Sequence, residues 1–172
     1  MADRLAELFE RSRARLFRLA LRMSRDREEA LDLVQEVFVR AAQRIERIPG
    51  DAAHAEAWLA RTLVNLCRDR WRRSRVRGRT LPLAGCEPAA PPPEERLAAQ
   101  AQVREALALL APRTRAVVVL HVFDEASHAE IARELGMAQA TVRWHLHSGL
   151  RQLRRALASA EPRRSPCLRV LP

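Results

Sequence analysis

The stretch from Gln139 to Arg154 carries one aromatic and several cationic side chains at helical spacing. At about 100° per residue, these side chains fall opposite the apolar stripe of the same segment. Tryptophan and arginine at such positions can touch base edges, thymine methyl groups and phosphates in the major groove of DNA. The pattern predicts a nucleic-acid contact by Ala140, Arg143, Trp144, His147 and Arg151. Two alternatives stay open: Trp144 packs against a neighbouring helix, and His145 and His147 are ordinary polar surface.

A second cationic row lies in the segment "AWLARTLVNLCRDRWRRSR", which ends at Arg75. One side of this helical segment is apolar, and the other carries Arg61, Arg68, Arg72 and Arg75, flanked by Asn65 and Trp71. A row of guanidinium groups can follow a phosphate backbone, while asparagine and tryptophan can hydrogen-bond to bases or stack on them. The alternative interpretation is a solvated basic helix end.

The segment "EEALDLVQEVFVRAA" predicts an amphipathic helix with an acidic side. Its apolar stripe is Ala30, Leu33, Val34, Val37, Phe38 and Ala41, and its acidic side is Glu29, Asp32, Gln35 and Glu36. Val39 falls in the middle of the acidic side, an arrangement that suits docking to a basic protein. No nucleophile or metal ligand stands near these acids in the sequence, so the pattern does not indicate an enzyme.

The spacing of polar and apolar residues from Ser127 onward predicts a helix-turn-helix. Ser127 and Glu130 form a capping box, which places the start of the first helix. Gly136 stands where a tight turn needs a positive φ or a close approach of the helices. The inner sides of the two helices are Ile131, Ala132 and Leu135, and then Val142, Leu146, Gly149, Leu150 and Leu153.

The elements that carry these residues form two basic blocks. All 31 basic residues of the 172-residue chain are arginine, and the net charge is +7 over residues 1–79, −2 over 80–112 and +5 over 113–172. The sequence shows no strand-like alternation, and helical periodicity dominates both blocks. We therefore expect an all-α protein with two small helical cores that share one polyanionic partner.

Residues 78–95, with five prolines, predict a flexible linker between the two helical domains, 1–77 and 96–160. Residues 161–172 predict a disordered tail. The longest apolar run, "AVVVLHVF", is far shorter than a membrane span, and "MADRLAELFERSRARLFRL" has no signal-peptide core, so we expect a cytoplasmic protein. Cys67, Cys86 and Cys167 lack metal or disulfide spacing, and we expect no metal or cofactor.

Together these motifs resemble the extracytoplasmic-function sigma factors, a two-domain class of bacterial sigma factors, over roughly residues 5–157. "EEALDLVQEVFVRAA" resembles the family's helix that binds core RNA polymerase. "AWLARTLVNLCRDRWRR" resembles its helix that reads the minus-ten element, with Trp58, Asn65, Asp69, Arg72 and Arg73 at recurrent positions. "LAPRTRAVVVLHVFDEASHAEIARELGMAQATVRWHLHSGLRQLR" resembles its minus-thirty-five domain.

The resemblance implies a sigma factor that binds core RNA polymerase and promoter DNA, with an anti-sigma factor as a possible further partner. It places the polymerase contacts on Asp32, Gln35, Glu36 and Val39. It places the minus-ten contacts on Arg61, Asn65, Arg68, Trp71, Arg72, Arg73 and Arg75. It places the minus-thirty-five contacts on Gln139, Ala140, Thr141, Arg143, Trp144, His147 and Arg151. It also implies that the loop from Arg47 to Glu56 holds a flipped minus-ten base.

The chain departs from the family pattern at several positions. Arg68 and Arg70 stand where apolar or aromatic residues are usual, Trp144 where a small residue is common, and Ser148–Gly149 where Arg–Ala is usual. Two other functions stay open at this point. One is an autonomous helix-turn-helix regulator, and the other is a metal or redox sensor that uses His121, His128, His147 and the cysteines. A regulator would bind a short duplex alone, whereas a sigma factor needs core polymerase.

Overall fold

The computed structural model describes residues 2–24, 26–76 and 94–160, and these residues contain helices and connecting turns but no strand. The α-helices are α1 (Ala2–Met23), α2 (Arg27–Gln43), α3 (Ala52–Val76), α4 (Glu94–Ala108), α5 (Pro112–Phe123), α6 (His128–Leu135) and α7 (Gln139–Ala160), with a 3-10 helix at Ile45–Arg47. The predicted all-α class is confirmed. Helix α4 begins two residues before the expected start of the second block. The rest of the predicted linker and the predicted tail lie outside the described residues.

Helices α1, α2 and α3 form the first helical unit, and their apolar stripes face one another. The buried residues of α2 are the six that the periodicity predicts, from Ala30 to Ala41. Asp26 caps the start of α2 by accepting a hydrogen bond from the backbone N–H of Glu29 at 2.7 Å. Local periodicity and an N-cap residue therefore account for this helix and for the side that it buries.

Helices α4 to α7 form the second unit around α5. Every residue from Ala116 to Leu120 is fully buried, because α5 is covered by α7 on one side and by α1 and α3 on others. Pro112 occupies the first turn of α5, where its missing N–H costs nothing. The segment from Ala116 to Leu120 is apolar on every side and must be buried on every side. Helices α1 and α3 of the first unit bury part of its surface.

The two units pack directly against each other, which differs from the expected pair of separate cores joined by a flexible linker. Helix α6 contacts α3, and α5 contacts both α1 and α3. One continuous cluster of buried side chains includes Leu63 of α3, Val117 of α5 and Ile131 of α6. Within the described ranges, every helix falls short of the combined length and hydropathy that a bilayer crossing requires.

Candidate nucleic-acid interface

The predicted helix-turn-helix is present as α6 and α7. The hydroxyl of Ser127 accepts a hydrogen bond from the backbone N–H of Glu130 at 3.3 Å, and the Glu130 carboxylate accepts one from the backbone N–H of Ser127 at 2.8 Å. The hydrogen bonds with Ser127 lower the pKa of Glu130. Helix α6 ends at Leu135, and its C-cap residue Gly136 has a φ of +64°, in the left-handed region. The capping box and the turn glycine thus fix where the motif begins and turns.

Helix α7 buries one side and exposes the other. Val142 is fully buried, Leu146 and Gly149 are buried, and Leu150 and Leu153 are partly buried against the core. Trp144 is 63% exposed, which contradicts the alternative that it packs against a neighbouring helix. The other predicted contact residues of this helix are also exposed: Gln139, Ala140, Thr141, Arg143, His147 and Arg151. The folded chain does not use these side chains for packing, so they are available to a partner.

His145 is not ordinary polar surface, as one of the alternatives above would have it. Its ring is half-buried, its Nδ1 lies 2.9 Å from the hydroxyl of Thr114 on α5, and its edge contacts the Trp144 ring at a centroid distance of 5.0 Å. Burial lowers the pKa of His145. The signal was present in the sequence, because His145 is three residues after Val142 and four before Gly149, on the border of the inner side.

The predicted cationic row follows α3 toward its C-terminus. Arg61, Arg72 and Arg73 are exposed, whereas Asn65, Arg68 and Trp71 are half-buried, and Arg75 belongs to the last turn. The two arginines that depart from the family pattern lie near acids: Arg68 Nε is 3.6 Å from Asp69, and Arg70 Nη1 is 3.8 Å from Glu29. The shielded carboxylate of Glu29 accounts for a cation at Arg70, whereas Nε of Arg68 is buried without a hydrogen-bond partner and its position has no such explanation.

Arg61 has a partner inside the chain that the sequence did not indicate. Its Nη2 donates to the backbone carbonyl of Arg133 at 3.0 Å, and its Nε donates to that of Glu134 at 3.4 Å. Both carbonyls belong to the last turn of α6, where helix carbonyls lack intrahelical partners. Arg61 is therefore exposed but engaged with the helix-turn-helix.

The acidic side of α2 lies open to solvent. Asp32, Gln35 and Val39 are exposed, and 46% of the Val39 surface is accessible to solvent. Glu36 is half-buried and pairs with Arg40 at 2.8 Å. Sequence reasoning missed Leu31, which is 51% exposed and precedes Val39 by eight residues, so that it extends the apolar centre of the same side.

Glu29 was expected on that side as well, but only 17% of its side chain is exposed and its carboxylate faces Arg70. The segment from Arg47 to Glu56 is also less of a loop than expected, because α3 begins at Ala52. Asp51 accepts hydrogen bonds from the backbone N–H of His54 at 3.0 Å and from its ring at 2.7 Å. The backbone hydrogen bond from His54 is the main cause of a lowered pKa at Asp51.

The cysteine and histidine residues do not form a metal site in the part of the chain that the structure describes. No three His, Cys, Asp or Glu side chains come together there as a metal ion would require. Cys67 is buried in the core, and burial raises the pKa of its thiol to about 12. This thiol is a packing group rather than a nucleophile. Cys86 and Cys167 lie outside the described residues.

Comparison with known proteins agrees with this geometry in both helical units. Residues 8–77 match the family model "Sigma-70 region 2", and residues 100–153 match "Sigma-70, region 4". The chain is 35% identical to the ECF RNA polymerase sigma factor SigL of Mycobacterium tuberculosis over 87% of this chain and 86% of that protein. It is 34% identical to the RNA polymerase sigma-E factor of Streptomyces coelicolor over 85% and 81% of the two chains.

The fold also resembles that of the sigma factor RpoE in its co-crystal structure with the anti-sigma factor NepR from Bartonella quintana. The TM-score is 0.71 at 20% identity, over 90% of this chain and 97% of RpoE. Because both helical units match sigma-factor regions and the sigma-factor relatives align across both of them, the alternative of an autonomous helix-turn-helix regulator is wrong. The chain belongs to the ECF family of RNA polymerase sigma factors, the non-enzymatic subunits that direct polymerase to promoters.

Proposed function

We propose that this sigma factor divides promoter recognition and polymerase binding among three surfaces. The exposed side of α7 reads the minus-thirty-five element, the C-terminal half of α3 reads the minus-ten element, and the acidic side of α2 docks on core RNA polymerase. The observation that carries the proposal is the exposure of Trp144, 63% of whose surface faces solvent on a helix with a buried opposite side. An exposed tryptophan at this position adds little to the packing of the folded chain, whereas it can contact bases when the helix binds DNA.

The α7 surface has the chemistry for direct readout in a major groove. Arg143 and Arg151 can donate to guanine acceptors or to phosphates, and the Trp144 ring can contact thymine methyl groups. A good bidentate contact contributes about 1–3 kcal/mol of discrimination between bases. The Trp144 ring rests against His145, which Thr114 holds in place, so this surface is partly preorganised.

The end of α3 has the chemistry for binding an opened strand. Arg72 and Arg73 are exposed cations that can follow phosphates, and Trp71 beside them offers a ring on which a base can stack. Stacking on an aromatic side chain contributes about 1–3 kcal/mol per base. Reading single-stranded bases suits an element that must be melted before transcription starts.

The α2 surface suits a protein rather than DNA, because its charge is negative. Asp32 and Glu36 surround an apolar centre formed by Leu31 and Val39, which is the composition of a docking site for a basic, partly apolar partner. Core RNA polymerase is that partner. We place the protein in the cytoplasm with the polymerase, and an anti-sigma factor, such as the one bound to RpoE, is a further partner.

The test of DNA readout is transcription by purified core polymerase on promoters with single substitutions in the minus-thirty-five element. Trp144→Ala should reduce the discrimination among these promoters by about tenfold, since one lost contact amounts to about 1–3 kcal/mol. Leu109→Ala is the matched control, because Leu109 is also exposed, at 71%, but lies off α7. Unchanged discrimination would contradict the α7 assignment, and so would a large fall in the melting temperature of the Trp144 variant.

The test of docking is a binding measurement with core polymerase and no DNA. Reversing both charges, Asp32→Arg with Glu36→Arg, should weaken binding at least tenfold while the circular dichroism spectrum stays unchanged. Glu46→Arg with Glu105→Arg, which reverses two exposed acids outside α2, is the charge-matched control. Equal affinity of the double variant and the control would remove the α2 assignment.

A further inference from the structure

We propose that Thr114 and His145 are positioning residues for the minus-thirty-five contact, because together they hold the ring of Trp144 in one orientation on the exposed side of α7. The inference rests on the proposed function in one respect, the reading of the minus-thirty-five element by Trp144. A buried side chain on α5 thereby contributes to the choice of bases by α7. Three successive contacts support this conclusion.

The first contact joins the rings of Trp144 and His145. Their centroids lie 5.0 Å apart, and their planes are nearly perpendicular, at 76°. Edge-to-face packing of this kind is a favoured arrangement of aromatic rings. Adjacent residues of a helix point about 100° apart and do not face each other, so the contact forms only when both side chains adopt particular rotamers. The orientation of Trp144 therefore depends on that of His145.

The second contact is the hydrogen bond between His145 and Thr114. Nδ1 of His145 lies 2.9 Å from Oγ1 of Thr114. The bond exists in either neutral tautomer, because a protonated Nδ1 donates to the hydroxyl and an unprotonated Nδ1 accepts from it. Thr114 is only 6% exposed, so it restrains the imidazole from inside the domain and lies out of reach of DNA.

The third contact fixes Thr114 itself. Gly149 follows His145 by four residues and so lies on the same side of α7. A Cβ at Gly149 would lie 2.9 Å from Cγ2 of Thr114, so the methyl group of Thr114 occupies the space that the glycine leaves. With its methyl group against Gly149 and its hydroxyl on His145, the β-branched side chain of Thr114 is held in one rotamer.

These contacts connect two positions at which α7 departs from the family pattern. Trp144 stands where a small residue is common, and Gly149 stands where alanine is usual. A methyl group at Gly149 would displace Thr114, and a displaced Thr114 would release His145 and with it the Trp144 ring. The large side chain at one position and the missing side chain at the other therefore belong to a single arrangement.

A restrained ring binds DNA at a lower entropic cost than a mobile one. Ordering one mobile side chain on binding lowers affinity by about twofold to tenfold. This cost applies only to promoters on which Trp144 makes its contact, so a released ring should narrow the difference between those promoters and the others. The effect should therefore appear at the base pairs that Trp144 reads and at no others.

Thr114→Val tests the proposal from the buried side, since valine keeps the methyl group against Gly149 but has no hydroxyl. On promoters with single substitutions in the minus-thirty-five element, transcribed with purified core polymerase, this variant should lose about twofold to tenfold of the discrimination at the base pairs where Trp144→Ala loses it. Thr114→Ser, which keeps the hydroxyl, should retain the discrimination. Thr62→Val, which removes a half-buried hydroxyl from α3, is the matched control.

A double variant distinguishes positioning from general stabilisation. In the Trp144→Ala background, Thr114→Val should have no further effect, because no ring is left to position. A loss at every base pair, or a further loss in that background, would show that the hydroxyl only stabilises α7 and would overturn the positioning role. If Thr114→Val does not fold, His145→Asn provides the same comparison, because its amide can still bond to the hydroxyl but offers no ring.

A measurement without DNA separates this proposal from the preceding one. In the full chain labelled with fluorotryptophan, the fluorine NMR resonance of Trp144, identified by its absence from Trp144→Phe, should narrow and move toward that of the free amino acid in Thr114→Val. An unchanged resonance would contradict the restraint. If the resonance changes but Trp144→Ala keeps full discrimination, the restraint stands and the α7 assignment fails. If Trp144→Ala loses discrimination and Thr114→Val does not, the α7 assignment stands and the positioning role fails.

Discussion

Substitution of Gly149 tests how closely helix α7 packs against helix α5. It lies on α7 where that helix packs on α5, and a Cβ at this position would lie 2.6 Å from Cγ2 of Val118 and 2.9 Å from Cγ2 of Thr114. Both neighbours are branched side chains with few rotamers on a buried helix. Gly149→Ala should therefore destabilise the protein, although alanine is the residue expected here from the family resemblance.

The size of the effect follows from two opposing contributions. Overpacking a core by one carbon costs about 1–3 kcal/mol, and two contacts below 3 Å place this substitution near the upper end. Alanine recovers about 1 kcal/mol through its better helix propensity. The expected net loss is about 2 kcal/mol in the free energy of unfolding. For a chain of this size that corresponds to a fall of about 4–8 °C in the melting temperature.

Urea unfolding followed by circular dichroism measures this loss. Gly50→Ala is the control, because no heavy atom lies within 4 Å of a Cβ at that position. In a double-mutant cycle, Val118→Ala should recover about 1 kcal/mol of the loss by making room for the new methyl group. A Gly149→Ala protein as stable as the wild type would refute the reasoning that α5 and α7 are in such close contact.

Three further predictions concern side chains described above. Ser127→Ala should lower the free energy of unfolding by about 1 kcal/mol through loss of the capping box, with Ser148→Ala inside α7 as the control in the same urea experiment. Acidification from about pH 7.5 to about pH 5 should destabilise the protein, because burial lowers the pKa of His145 and only the unfolded imidazole takes up a proton just below its ordinary pKa of about 6.5. The loss should level off once the folded imidazole also protonates, and His145→Gln should reduce the pH dependence more than His147→Gln does; equal curves would contradict the buried position. Because burial raises the pKa of Cys67 to about 12, its thiol should resist iodoacetamide at about pH 8 until the protein unfolds. Peptide mass spectrometry checks this, and rapid labelling of the native protein would count against it.

The sequence predicts well what depends on neighbouring residues along the chain. The buried side of α2, the capping box at Ser127 and the exposed side of α7 all follow from helical periodicity and local hydrogen bonding, and the structure confirms each of them. Leu31 and His145 were missed although the same periodicity places them.

The packing of the two units could not be predicted in this way. Periodicity indicates which side of a helix is buried but not which element covers it. The run from Ala116 to Phe123 is too short for a membrane span, and its uncharged residues need apolar cover on every side, but the sequence does not say which helices provide it. The partners of Arg61 could not be predicted for a similar reason. They are backbone carbonyls more than seventy residues away, and every residue type has such a carbonyl, so the sequence does not indicate which ones Arg61 contacts.

Arg115 determines how reversible the junction between the two units is. Besides the carbonyl of Met23, its guanidinium donates to the carbonyls of Ala108 at 2.8 Å and Leu110 at 3.3 Å, both in its own unit. When the units separate, the cation keeps two acceptors, and water can replace the third on each side. Nε of Arg115, which is buried without a hydrogen-bond partner in the packed chain, would then be open to water as well, so separation leaves no charge buried without solvation. The contacts of Arg115 would therefore not prevent the two units from separating and packing again without unfolding.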